Sequence, residues 1–207
     1  MSDYEYEPDG KIHTRYSELV QCRPNGMGKV LAHRANPNLR FSNGATEFGT
    51  DRHAMWEEES RQTGRIPKCF DETWEVTQVE AEFASEMLPG IVVHSRLDAL
   101  LEHMGTIVDY KTIVADTFAQ GRRNATMQYR HSKQLLFYAY QLGLHGIRIT
   151  RGVYLIEIWN RDYSEILGYH KITIPMSMPK IAAILPWAQE RMALLASAIE
   201  SEELISA

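Results

Sequence analysis

Cysteine is scarce in this sequence, and long apolar runs are missing. Only two of the 207 residues, Cys22 and Cys69, are cysteines, too few for a disulfide framework or for a four-thiolate metal site within one chain. No apolar run reaches the roughly 20 residues that a membrane-spanning helix needs. The acidic N-terminus also differs from a signal peptide, which begins with basic and then apolar residues. We therefore expect a cytoplasmic protein that does not associate with a membrane.

Several widespread catalytic motifs are missing as well. The segment NGMGKV ends like a Walker A loop, but Arg23 and Val30 stand where that motif requires a glycine and a serine or threonine. Neither G-x-S-x-G nor H-E-x-x-H occurs in the chain. These absences argue against ATP binding, against a serine hydrolase and against a zincin-type metalloprotease.

Acidic residues are absent from two stretches, although the whole chain carries a net charge of −5. That net charge gives no general attraction to nucleic acid, so any such contact depends on local basic patches. One stretch covers residues 20–45 and the other residues 117–133. The basic residues are Arg23, Lys29, Arg34 and Arg40 in the first stretch, and Arg122, Arg123, Arg130 and Lys133 in the second. Each patch is either an ordinary solvated surface or a contact for an anionic ligand.

Length and composition indicate a globular protein. Apolar residues make up 44% of the chain and charged residues 24%, which is ordinary for a folded domain. A chain of this length suits one domain with a sizeable core. We expect a single domain over residues 1–207, with a flexible leader at 1–13 and a C-terminal helical segment at 178–201 packed on the core.

Hydrophobic periodicity predicts an α/β fold. Strands are predicted at 74–84, 91–98, 106–114, 151–159 and 165–174. Helices are predicted at 14–22 with Thr14 as the N-cap, at 46–63, at 124–146, and from Met178 onward with a break at Pro186. Segment 23–45 is rich in Gly, Asn and Pro and is predicted to be a long loop. The expected architecture is a mixed sheet of about five strands flanked by helices.

A charged pair interrupts the third predicted strand, GTIVDYKTIVA, at residues 105–115. Side chains alternate along a strand, so Asp109 and Lys111 share one face of the sheet. If strands 91–98 and 106–114 form a hairpin, Asp98 lies opposite Asp109, with Cβ atoms about 4.5–5.5 Å apart. Three charged groups are then expected to converge on one patch of the sheet.

Two opposed carboxylates repel each other and need a cation if both are to stay ionised. Carboxylate oxygens favour Mg²⁺ or Mn²⁺ over zinc. Such an ion lowers the pKa of a bound water and stabilises charge on a phosphoryl oxygen, and Lys111 is placed to orient that water or to neutralise the transition state. A purely structural Asp–Lys pair is the alternative. Glu80 on the preceding strand and His53 on the upstream helix favour the metal site, because both supply further metal-ligand chemistry.

Five motif elements follow one another along the chain. They are G-x-x-x-H (Gly49 to His53), E (Glu80), R-x-D (Arg96 to Asp98), D-Y-K-T (Asp109 to Thr112) and Q-x-x-x-Y (Gln134 to Tyr138). With this order and spacing, the chain resembles the RecB-like branch of the PD-(D/E)XK nuclease superfamily, which includes RecB and AddB nuclease domains and CRISPR-associated and phage exonucleases. The resemblance runs from about residue 16 to residue 138. It implies a restriction-endonuclease-like fold.

The resemblance also implies roles for individual residues. The metal ligands are His53, Asp98, Asp109 and the main-chain carbonyl of Tyr110. The catalytic set is Asp98, Asp109, Lys111 and Glu80, with Glu82 as the alternative to Glu80. Gln134 and Tyr138 line the DNA path, and the remaining substrate contacts are Arg96, Arg122, Arg123 and Arg130.

The sequence departs from the family pattern in its cysteines. Many relatives hold an iron–sulfur cluster with one cysteine near the N-terminus and three after the Q-x-x-x-Y helix. Cys22 matches the first position, but no cysteine follows Cys69, so we expect no cluster.

The implied activity is that of a Mg²⁺- or Mn²⁺-dependent deoxyribonuclease. The more specific expectation is a phage or bacterial exonuclease that acts on DNA single strands or duplex ends in recombination, repair or end processing. Its candidate partners are a recombination protein or further copies of the same chain. Two alternatives stay open: a catalytically silent DNA-binding or assembly module that retains the fold, and a hydrolase of small phosphoesters.

Overall fold

The computed structural model of the protein describes residues 10–23, 25–36 and 44–206. The chain forms two compact units that interleave in sequence. The first unit takes residues 1–41, 83–95 and 183–207, and the second takes residues 42–82 and 96–182. The expectation of a single domain stays a prediction. Residues 1–9 of the predicted leader lie outside the described residues, whereas Ile12 and His13 form part of a strand.

Within the described residues the secondary structure is as follows. The strands are β1 (Ile12–Arg15), β2 (Gln78–Leu88), β3 (Ile91–Leu101), β4 (Thr106–Val114), β5 (Arg151–Trp159) and β6 (Ile166–Pro175). The helices are α1 (Tyr16–Gln21), α2 (Met27–Ala35), α3 (Gly44–Thr63), α4 (Phe118–Tyr129), α5 (Gln134–Leu144), α6 (Met178–Ala182) and α7 (Leu185–Ser206). Among these helices, none is both long enough and apolar enough to span a bilayer.

The strands form one mixed sheet in the order β1, β3, β4, β5, β6, with β2 paired to β3. β1 runs parallel to β3 and β4 runs parallel to β5. The β3–β4 and β5–β6 pairs are antiparallel. This arrangement confirms the predicted α/β class, a restriction-endonuclease-like mixed sheet flanked by helices. The four-residue strand β1 was not predicted, because it is too short to show a clear alternation.

The core of the second unit fixes the orientation of β4. Tyr110 is fully buried, and its ring stacks on Phe70 with centroids 5.6 Å apart. The ring of Trp56, from α3, lies 5.5 Å from Tyr110 on the same side. Because strand side chains alternate, this apolar anchor turns Asp109 and Lys111 to the other face of the sheet.

The first unit contains a helix where the sequence predicted a loop. Residues Met27–Ala35 form α2, so the loop prediction was wrong for that part of segment 23–45. The Gly, Asn and Pro residues flank a run of good helix formers, MGKVLAHRA. Burial of Val30 and an ion pair between Arg34 of α2 and Glu18 of α1, at 3.1 Å, hold this helix in its unit. Arg40, at the end of the basic stretch, lies outside the described residues.

Other helix ends differ from the sequence predictions for local reasons. Thr14 does not cap α1: it lies in β1, and its hydroxyl donates to Glu18 at 2.7 Å. The helix predicted at 124–146 is two helices, since the Ser132 hydroxyl accepts a hydrogen bond from the Gln134 amide between them. The predicted break near Pro186 is confirmed by the gap between α6 and α7.

Candidate active site

The β3–β4 hairpin has the predicted register. Leu101 pairs with Thr106, and Ala99 pairs with Val108. The next pair in that register is Asp98 with Asp109. Asp98 does not continue the main-chain ladder: its Oδ2 accepts a hydrogen bond from the Tyr110 amide at 2.6 Å. Beyond the pair of Ala99 and Val108, Asp98 therefore contacts β4 through its side chain, next to Asp109.

Lys111 lies beside Asp109 on the same face of β4. Its Nζ is 2.5 Å from Oδ2 of Asp109. Burial by itself would lower the pKa of Lys111, but the carboxylates of Asp109 and Asp98 together raise it. The raised pKa of Lys111 means that its amine carries a positive charge at neutral pH.

The two aspartates remain under-neutralised despite this lysine. Burial raises the pKa of Asp109 to about 6; Lys111 opposes the rise and the charge of Asp98 adds to it. Burial also raises the pKa of Asp98. One lysine thus does not offset the desolvation and mutual repulsion of two buried carboxylates. A second positive charge at this point of the sheet would relieve both.

Helix α3 brings two further ligand groups to Asp98. His53 Nδ1 lies 3.7 Å from Asp98 Oδ2, and the ligand atoms of His53, Glu57 and Asp98 all lie within 4.8 Å of one another. Burial and the charge of Lys111 lower the pKa of His53 to about 4. Its imidazole is therefore neutral at neutral pH, which is the form that coordinates a metal.

Glu57 was not among the predicted site residues. His53 and Glu57 are four residues apart and so share one face of α3. That spacing was the available signal, but Glu57 stands in a run of three glutamates, and the sequence does not show which of them faces the sheet.

Glu80 and Arg96 form an ion pair next to this cluster. Glu80 also accepts from Arg61 at 2.8 Å, and Arg96 lies 3.5 Å from Glu57. The Arg96 guanidinium lies between the carboxylates of Glu80 and Glu57, and its predicted contact with substrate stays a prediction. The backbone of Glu80 has φ of 50°, a conformation rare for a non-glycine residue in a strand. Glu82, the alternative motif glutamate, is exposed.

Gly49, the first residue of G-x-x-x-H, lets α3 approach β4 closely. A Cβ atom at this position would lie only 3.2 Å from the Thr112 hydroxyl. This close approach, one turn before His53, sets the distance between the helix and the strand that carries Asp109 and Lys111.

Helix α5 contributes the predicted Gln134–Tyr138 pair. Gln134 Nε2 donates to the Tyr138 hydroxyl at 3.0 Å. Burial and the nearby charge of Asp109 raise the pKa of Tyr138. The glutamine thus orients the hydroxyl of a buried tyrosine whose pKa responds to the charge of Asp109.

The predicted arginine contacts lie on and just after α4. Arg122, Arg123 and Arg130 are all exposed. The guanidinium of Arg122 lies 5.9 Å from the centre of the Phe118 ring. These positions leave the three side chains accessible to an anionic ligand.

The donor set fits a hard divalent cation. The ligand atoms of two carboxylates, Asp98 and Glu57, and of the neutral His53 imidazole lie within 4.8 Å of one another, and the charge of Asp98 acts on the buried Asp109 carboxylate. The main-chain carbonyl of Tyr110 stays a predicted ligand. Each cysteine lies elsewhere, with Cys22 hydrogen-bonded to the Glu18 carbonyl at 3.3 Å. Oxygen-rich ligands of this kind suit Mg²⁺ or Mn²⁺ better than a thiophilic metal.

The fold and this site together define an α/β protein whose mixed sheet carries opposed carboxylates beside a lysine. Solved exonuclease structures share the fold. The alkaline exonuclease LHK-Exo from Laribacter hongkongensis, in its complex with dAMP, superposes with a TM-score of 0.56 at 16% identity over 95% of this chain and 93% of that one. A phage-related exonuclease from Haemophilus somnus 129PT gives a TM-score of 0.55 at 10% identity over 91% of this chain and 97% of that one.

Comparison of the amino-acid sequence with family models and with curated proteins found no match. Identities this low show a shared fold and leave the chemistry to be argued from the residues.

Proposed function

We propose that the protein is a Mg²⁺- or Mn²⁺-dependent deoxyribonuclease of the RecB-like type, acting as an exonuclease. One observation carries this proposal. Asp98 and Asp109 are the next two residues in the β3–β4 register, Asp98 Oδ2 accepts from the Tyr110 amide at 2.6 Å, and Lys111 Nζ lies 2.5 Å from Asp109 Oδ2. This is the arrangement that the D-Y-K-T resemblance implies for a metal ligand pair and a catalytic lysine.

Asp98, Asp109, His53 and the Tyr110 carbonyl are the residues that would hold the metal, with Glu57 as a further ligand. When bound, the ion supplies an acidified water and a Lewis acid for the phosphate. Asp98 and Asp109 provide negative charge that is held in place by the sheet and therefore needs little reorganisation. The Tyr110 amide keeps the Asp98 carboxylate turned into the site.

Lys111 supplies a fixed cation next to the scissile phosphate. Its pKa is raised by the two aspartates, so it donates hydrogen bonds and does not act as a base. A preorganised donor aimed at developing negative charge is worth about 10²–10³-fold in rate. Glu80, held by Arg61 and Arg96, completes the acidic side of the site.

DNA is the substrate that the surroundings of the site favour. Arg122, Arg123 and Arg130 supply exposed positive charge that can follow a phosphate backbone without reading its sequence. The similar exonuclease LHK-Exo was crystallised with a deoxynucleotide, dAMP, which supports a nucleotide-binding role for this fold. Recombination, repair or DNA end processing is the corresponding biological setting, with a cytoplasmic location.

The test is degradation of end-labelled linear DNA, single-stranded and duplex, with Mg²⁺ or Mn²⁺. We expect progressive shortening from an end by the wild-type protein, and loss of that activity in Lys111→Ala. Covalently closed circular DNA is the matched substrate, and an exonuclease leaves it intact.

Other results would point to the alternatives. DNA binding by the wild-type protein without cleavage under any divalent metal would favour a silent binding module. Hydrolysis of mononucleotide esters without activity on DNA would favour a small-phosphoester hydrolase.

A further inference from the structure

A buried ion pair joins α3 to β5 one residue before the proposed ligand His53. Arg52 donates twice to Glu157, from Nε to Oε2 at 2.8 Å and from Nη2 to Oε1 at 2.6 Å. Glu157 is completely buried, and its Oε2 also accepts from Trp159 Nε1 at 2.6 Å. A fork of this kind fixes the direction of the guanidinium as well as its distance.

Helix α3 therefore presents two parallel rows of residues four apart. The first row faces β4 and β5: Phe48 lies edge-on to Trp159 at 4.9 Å, Arg52 binds Glu157, and Trp56 packs 5.5 Å from Tyr110. The second row is Gly49, His53 and Glu57, which lie against Thr112, Asp98 and Arg96 respectively. Adjacent rows on one helix rotate together, so the contacts of the first row set the angle of the second.

The strand register connects the same pair to the catalytic strand. Glu157 of β5 pairs with Thr112 of β4, the residue after Lys111. The Gly49 backbone lies against that Thr112 side chain. Arg52 and Glu157 thus hold α3 against β4 at Thr112, the residue that follows Lys111.

We infer that Arg52 and Glu157 are positioning residues, which fix the rotation of α3 so that His53 and Glu57 aim at the metal held by Asp98. This inference rests on the proposed metal-dependent function. It adds a polar clamp, the Arg52–Glu157 ion pair, that is not itself among the metal ligands. An apolar pair of similar volume can be as stable as a buried ion pair. The two hydrogen bonds between Arg52 and Glu157 also fix the rotation of α3 about its axis. That rotation determines whether His53 and Glu57 point toward Asp98.

The experiment measures Mn²⁺ binding by isothermal titration calorimetry. In the double variant Arg52→Leu/Glu157→Leu an apolar contact replaces the clamp. We expect a folded protein whose Mn²⁺ dissociation constant rises by about 10–100-fold, the usual cost of losing an outer-shell partner. The matched control removes another ion pair of the same unit, with Lys171→Leu/Glu72→Leu, and is expected to bind Mn²⁺ as the wild type does.

A second arm separates positioning from general loosening. The clamp substitutions are repeated in a His53→Ala/Glu57→Ala background, where there is nothing left for the clamp to position. We expect them to change the Mn²⁺ dissociation constant by less than about threefold there, because coupled residues are non-additive. Equal effects in both backgrounds would overturn the inference. If the double leucine variant does not fold, Arg52→Lys and Glu157→Gln are measured instead. We expect the Mn²⁺ dissociation constant of each to rise by a smaller factor.

The outcomes distinguish this inference from the proposed function. If the wild-type protein binds no Mn²⁺, that result contradicts the proposed function itself. A wild type that binds Mn²⁺, together with a folded clamp variant that binds it equally tightly, removes only the positioning role of Arg52 and Glu157.

Discussion

Two aspartate–cation pairs of this protein differ strongly in burial, and the pKa values of their aspartates shift in opposite directions. Asp109 and Lys111 lie in the site on β4, where the side chains are 5% and 21% exposed. Asp116 and Arg161 form a pair whose side chains are 50% and 75% exposed. The pKa of Asp116 is lowered by its hydrogen bonds to Arg161, whereas the pKa of Asp109 is raised by burial in spite of its lysine.

The difference shows that desolvation, more than the nearness of a cation, decides the state of a carboxyl group here. At the surface, water already keeps an aspartate ionised at neutral pH, and hydrogen bonds to Arg161 lower the pKa of Asp116 further. In the sheet, one ammonium beside two carboxylates leaves negative charge that is costly to keep. A divalent ion relieves that cost at Asp109 and has nothing to relieve at Asp116.

The largest expected contrast between the two pairs is in catalysis. Asp109→Asn removes a proposed metal ligand, and we expect the rate of DNA cleavage to fall by at least about 10²-fold, as on losing a group that stabilises transition-state charge. Asp116→Asn is the matched control and should retain the wild-type rate within about twofold. Initial rates on end-labelled DNA with Mg²⁺ provide the measurement. Equal rates for the two variants would remove Asp109 from the site.

The next contrast is in the free energy of unfolding of the metal-free protein when the cation of each pair is replaced. Lys111→Met leaves two buried carboxylates without their cation, and we expect the free energy of unfolding to fall by about 3 kcal/mol, the lower end of the range for breaking a buried pair. Arg161→Met breaks a solvent-exposed pair and should cause no measurable change. Urea denaturation in the presence of EDTA measures both. A small effect of Lys111→Met would mean that the site is solvated enough to tolerate its own charge.

A third contrast between the two aspartates is expected in the thermal stability gained on metal binding. A ligand at 100 times its dissociation constant stabilises the folded state by about 2.7 kcal/mol, which corresponds to a rise in Tm of about 5–10 °C for a chain of this size. We expect that rise on adding Mn²⁺ to the wild type and to Asp116→Asn, and its reversal by EDTA. Differential scanning calorimetry of Asp109→Asn should show a much smaller rise. An equal rise in Asp109→Asn would place the binding site elsewhere.

The last expected contrast is a pH dependence of opposite sign at the two aspartates. Burial raises the pKa of Asp109 to about 6, so its contribution to stability is full below about pH 4 and is lost as the pH rises through 6. With about 1.4 kcal/mol for each pKa unit, a rise in pKa from 3.8 to about 6 corresponds to a loss of about 3 kcal/mol. The lowered pKa of Asp116 gives a contribution that is present above about pH 4 and is lost on acidification.

The measurement is the unfolding free energy of the metal-free wild type minus that of Asp109→Asn, from pH 4 to 7. We expect this difference to decrease as the pH rises. The corresponding difference for Asp116→Asn should stay constant over that window. A difference for Asp109 that increases with pH would show that Lys111 outweighs burial.

The centre of the site was predictable because it depends on local rules. Alternation along β4 places Asp109 and Lys111 on one face, and a short turn after β3 brings Asp98 opposite. The spacing of Gln134 and Tyr138 similarly puts both on one face of a helix, where they form a hydrogen bond. These features follow from the alternation of side chains along a strand and from the repeat of about 3.6 residues along a helix.

The periphery of the site was less predictable because it depends on contacts between distant segments. Glu57 faces Asp98 only because α3 has a particular rotation, which tertiary contacts such as Arg52 with Glu157 determine. Arg96 pairs with Glu80 across two strands, a partner that no periodicity indicates. Helix α2 was missed for a related reason: its flanking glycines and asparagines suggested a loop, while burial of Val30 favours a helix.

The most direct test of the central claim is an anomalous difference map from crystals grown with Mn²⁺. We expect a peak within about 2.6 Å of carboxylate oxygens from both Asp98 and Asp109, the usual range for such ligands. A peak that contacts neither aspartate, in a protein that cleaves DNA with Mn²⁺, would contradict it.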